Sequence, residues 1–132
     1  MNEIEAKVRK WVEKAEKDLK VAKREIEEKE PVLEAVLFHS QQAVEKFLKA
    51  FLTLHQMKFG RSHDISYLIM LCSKIDEEFK KLFELNVDRL YPKGIEVRYP
   101  EIDVEVTKEE AEEAIEIAEK VKEFVLKKLN RL

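Results

Sequence analysis

The chain holds only two glycines, three prolines, one cysteine and one tryptophan in 132 residues. Each scarcity excludes something. With so few chain breakers, few turns can form and long helices are favoured. Cys72 has no second cysteine to pair with, so no internal disulfide can form, as expected in a reducing cytosol. No stretch approaches the ~20 apolar residues that cross a bilayer. The opening Met1-Asn2-Glu3 is followed by no apolar core of the kind a signal peptide has. The expected location is therefore cytoplasmic, with no membrane partner. A Gly-rich phosphate loop is missing, as are His-x3-His and Cys-x2-Cys pairs, so neither a metal site nor a cofactor is expected. A phosphate would have to meet side chains or a helix N-terminus.

What is present is a chain 45% hydrophobic and 40% charged, with a formal net charge of −3. That apolar share supports folding over disorder. The length suits one domain over residues 1–132, burying roughly two thirds of the unfolded surface. A surface rich in Lys and Glu suits helices and is common in proteins of thermophiles, the expected source. A balance of −3 provides no global field toward nucleic acid or anionic lipid, although a local basic patch is compatible with it.

Apolar spacing predicts helices. Ile4, Val8, Trp11, Ala15, Leu19, Ala22 and Ile26 step by three or four, giving a first helix over 2–28. Pro31 suits the first turn of a second helix reaching Gln56, and Gly60 marks the turn after it. Ser62 reads as an N-cap of a third helix with Asp64 in its first turn, and Ser73 as the cap of a fourth whose core face is Ile75, Phe79, Leu82 and Phe83. The segment 86–106, with Pro92, Gly94 and Pro100, reads as a long irregular loop. Thr107 and Glu110 have capping-box spacing and open the last helix. The expected fold is all-α: an antiparallel up-and-down bundle of about five helices, three long and two short, with that loop before the last.

The run from Phe38 to Leu52 is the most informative stretch. At ~100° per residue, its apolar residues cover one broad arc. His39, Gln42 and Lys46 fall together beside that arc, among Ala35, Ala50 and Thr53. An imidazole, an amide and an ammonium thus line one edge of a buried helix. They read either as a half-buried seam where small residues let a second helix pack closely or as a phosphate- and base-binding pocket. His63 reads either as a surface histidine beside a helix cap or as a nucleotide contact or general base. Arg98 and Tyr99 read either as a phosphate clamp with a stacking ring or as a loop tether. Trp11 reads as core, and Cys72 as buried and inert.

Several of these residues occur together as a pattern: Trp11, Ala15, Asp18 and Leu19; then Phe38 to Lys46 with Lys49 and Ala50; then His63-Asp64-Ile65 with Leu68; then Arg98-Tyr99-Pro100 before a Glu-Glu-Ala helix. Nearly the whole chain thereby resembles the HEPN family (higher eukaryotes and prokaryotes nucleotide-binding). The resemblance implies an all-α bundle, a homodimer, and association with a nucleotide or RNA. It also implies a minimal nucleotidyltransferase as partner, in a toxin–antitoxin-like pair. The nucleotide-binding residues it suggests are His39, Gln42, Lys46, His63, Arg98 and Tyr99.

Many members of that family are metal-independent ribonucleases marked by an Arg, four to six residues and a His. Here the positions that would carry the Arg hold Val32-Leu33-Glu34, Leu48-Lys49-Ala50 and Gln56-Met57-Lys58. Lys58, with four residues between it and His63, is no planar bidentate donor. The leading expectation is therefore a binding module with no assigned catalytic residue. A divergent ribonuclease using His39 or His63 with Arg98 is the second reading, and a purely structural dimerisation bundle the third.

Overall fold

The structure is a computed structural model and describes residues 2–87, 90 and 105–130. Helix α1 spans Glu3–Ile26, α2 spans Leu33–Leu54 and α3 spans Ile65–Ile75. A 3-10 helix, η1, covers Glu77–Leu85, and α4 covers Lys108–Leu129. The described residues are all-helical with no strand. Most of the expected loop, with Arg98 and Tyr99, lies outside them.

Local chemistry sets the ends. Asn2 caps α1, its side-chain oxygen accepting from the Glu5 N–H at 2.8 Å. Thr107 forms the capping box foreseen with Glu110. Two serines expected as caps are not. Asp64 caps α3 by accepting from the Tyr67 N–H, while the Ser62 hydroxyl accepts from the Asp64 N–H. Asp76 caps η1, and Ser73 sits inside α3 with its hydroxyl donating to the Met70 carbonyl. Pro31 lies outside α2 rather than in its first turn. The adjacent Val32 N–H donates to Glu25 Oε2 at 2.9 Å, so a side chain of α1 closes the hairpin. Gly60 has φ +63 with nothing near a notional Cβ, so backbone conformation rather than crowding favours glycine there.

Helix α2 is the central element. From Ala43 to Leu52 only Lys46 escapes full burial, as befits a helix covered on all sides. Glu25 meets Val32, Asp18 meets His39 and Lys46, and Trp11 meets Lys49, so partners descend α1 as they ascend α2. The two are antiparallel. Lys23 pairs with Glu119 and Glu16 with Lys122, which makes α4 antiparallel to α1 as well. At the far end Phe79 joins Phe51 and Phe124, with ring centroids 4.3 and 5.0 Å away. One correction follows from helix type. A 3-10 helix repeats every three residues, so Phe79 and Leu82 point inward and Phe83, expected in the core, is 37% exposed.

Candidate functional site

The expected edge of α2 faces α1, and its anchor is a residue on α1. Asp18, its side chain 13% exposed, receives two groups at once. His39 Nδ1 lies 2.9 Å from Oδ1, and Lys46 Nζ donates to Oδ2 at 2.5 Å. Gln42, half-buried, lies on the helix between them, and its side chain makes no hydrogen bond among the described residues. One carboxylate thus holds an imidazole and an ammonium side by side. Lys46 spends one of three N–H donors on Asp18, which leaves donors for an anion.

A second polar row was missed. Gln41, Glu45 and Lys49, spaced by four, are all buried. Gln41 Nε2 donates to Glu45 Oε1 at 2.9 Å. Glu45 Oε2 lies 3.1 Å from His63 Nδ1, so His63 belongs to this row and not to the Asp18 cluster. The imidazole is half exposed while the carboxylate is 2% exposed. Lys49 lies 5.7 Å from the Trp11 ring centroid and 5.6 Å from that of Phe59. Burial pushes its ammonium below the ordinary lysine range; the Glu45 charge opposes that shift and the Lys46 charge adds to it. The recurrence at i, i+4 and i+8 was the available signal, hidden because the same stretch is crowded with apolar residues.

Trp11 is half-buried rather than fully in the core, standing edge-on to Phe59 at 6.1 Å between centroids. Burial pushes the Cys72 thiol up to about 12, and its Sγ faces the Leu48 carbonyl at 3.8 Å, which keeps it protonated and inert. Among the described residues no group of His, Cys, Asp and Glu could hold a metal ion. No helix among them is long and apolar enough to cross a membrane.

The arrangement therefore offers an anchored Lys46–His39 pair on the α1–α2 seam, and an imidazole at 63 oriented by a buried carboxylate. Comparison with known proteins gives this geometry a context. No solved structure matches the chain. A curated protein of Methanocaldococcus jannaschii named "Putative toxin MJ1304" is 35% identical over 129 residues, covering 87% of this chain and 83% of that protein. The family model described as HEPN domain matches residues 8–129. With nearly the whole of the described bundle inside that match, the chain belongs to the HEPN domain family.

Proposed function

We propose that this chain is a nucleotide- or RNA-associated binding module of the HEPN type, acting as a homodimer with a minimal nucleotidyltransferase partner. The observation that carries the reading is the Asp18 carboxylate holding His39 and Lys46 together on a half-buried edge, with Gln42 between. Such anchoring fixes the ammonium and the imidazole before a ligand arrives, which lowers the ordering cost of binding. A phosphate would accept hydrogen bonds from the remaining Lys46 N–H groups, and the Gln42 amide would meet a polar ring edge. The relative named as a putative toxin supports a toxin-like role, and hence a partner that restrains it.

Calorimetric titration with ATP and with a short oligoribonucleotide tests the module. Wild type is expected to bind, and Lys46→Ala to weaken binding about tenfold or more, the loss expected of a charge-assisted hydrogen bond. No binding at millimolar ligand, with or without the nucleotidyltransferase, overturns the reading.

The buried Glu45 against His63 supports the second reading, a divergent ribonuclease. Engagement of Nδ1 leaves Nε2 as the ring nitrogen available to a substrate, the arrangement of an oriented general base. Incubation with a mixed RNA pool in chelator tests it. Cleavage lost in His63→Ala supports it, and an inert wild type ends it.

A further inference from the structure

A cavity of ≈ 290 Å³ opens on the α1–α2 seam, lined by Lys7, Lys10, Trp11, Lys14 and Thr53. None of these residues takes part in the Asp18 cluster or the Glu45 row, although Trp11 backs onto Lys49. Three lysines at spacings of three and four lie on one face of α1, and Lys17 continues that face by one more step. Lys10 and Lys14 have no ion pair among the described residues, and Lys7 reaches Glu3 only at 3.7 Å between two exposed side chains. A chain of net charge −3 thus carries a concentrated row of cations at one place. The floor is pre-formed, because Phe59 stands edge-on to the Trp11 ring and the buried Lys49 ammonium sits over it.

We propose that this cavity is a docking site for an acidic peptide segment of a partner protein. One apolar side chain of the segment enters over Trp11, and carboxylates on either side of it meet Lys7, Lys10 and Lys14. Charge complementarity argues for the carboxylates: lysines one helical turn apart match acidic residues one turn apart on an adjacent helix. The lining argues for the apolar side chain. Lysine heads, an indole N–H and a single threonine hydroxyl supply donors but one hydroxyl as the sole side-chain acceptor in the lining, so the donor groups of a nucleobase edge would be left largely unpaired against lysine stems and the indole. An aliphatic or phenyl group carries no such groups. This site is independent of the proposed nucleotide edge at His39, Gln42 and Lys46.

Trp11 is the sole tryptophan, so its emission reports on this cavity directly. The full chain is titrated with a synthetic peptide of about 15 residues, helical by design, with Glu at turn spacing around one central Leu. The same peptide with Gln for every Glu is the charge control, and an oligoribonucleotide of similar length is the polyanion control. The acidic peptide is expected to shift Trp11 emission with a micromolar midpoint that rises with added salt. The Gln peptide is expected to have no effect. In the double variant Lys10→Gln and Lys14→Gln, with helix content and melting temperature unchanged, the midpoint rises about tenfold. Lys46→Ala is expected to leave it unchanged, which separates this site from the nucleotide edge. No emission change with millimolar acidic peptide, an equal response to the Gln peptide, or a response to the oligoribonucleotide alone overturns the proposal.

Discussion

At the scale of single residues, Asp18 decides what the α2 edge is. The sequence shows His39, Gln42 and Lys46 on one face because a helix's own periodicity places them there. Asp18 appears in the sequence pattern with no role, because its partners lie 21 and 28 residues away and depend on the register between two helices. The same limit hid the link from Glu45 to His63, 18 residues apart. Asp18→Ala leaves a half-buried ammonium without its acceptor, so it is expected to lower the unfolding free energy by about 1–3 kcal/mol. The reading is the urea midpoint at unchanged slope. Because the groups share one network, Asp18→Ala combined with Lys46→Met should cost less than the two single changes added together. Additive costs would mean that the Asp18–Lys46 contact contributes nothing to stability.

At the scale of elements, legibility followed how local each signal was. The Thr107–Glu110 capping box was legible because its parts lie three residues apart and need no tertiary partner. The caps of α3 and η1 were misread because each serine is followed within three residues by an aspartate. The stronger acceptor, negative at a positive helix end, took the role. The inward face of η1 was misplaced because sequence cannot announce a change of period from 3.6 to three. Helix α4 tests the local signal: Thr107→Ala removes the acceptor for the Glu110 N–H and the donor to Glu110 Oε1. It is expected to cost about 1 kcal/mol, seen as a fall of several degrees in melting temperature. Thr107→Ser should retain most of that stability; equal loss in both variants would place the cause outside the cap.

For the whole molecule, the number and order of helices were legible because glycine and proline are so scarce that the few present mark the joints. How the ends of the bundle are fastened was not legible, since Lys128 lies 50 residues from Glu78. Lys128 Nζ reaches Asp76 Oδ2 at 2.7 Å and Glu78 Oε1 at 2.6 Å, tying the last turn of α4 to the start of η1. Hydrogen bonding to Lys128 is the main cause holding both carboxyls below the ordinary range, and the same bonds, to Asp76 first, raise the Lys128 ammonium. A carboxylate with a lowered folded value contributes stability above its unfolded value, near 4, and loses it as pH falls through the folded value. A raised ammonium contributes below its unfolded value, near 10.4, and loses it as pH rises through the folded one. The clamp is therefore complete between about pH 4 and pH 10. Lys128→Met is expected to melt lower than wild type across that window, with the gap closing on both sides of it and shrinking in high salt, because Glu78 is exposed and Asp76 and Lys128 are only partly buried. A gap that stays open below about pH 4, where both carboxylates are protonated, would assign the loss to the Lys128 ammonium over the Phe124 ring, 5.5 Å from its centroid, and not to the ion pairs.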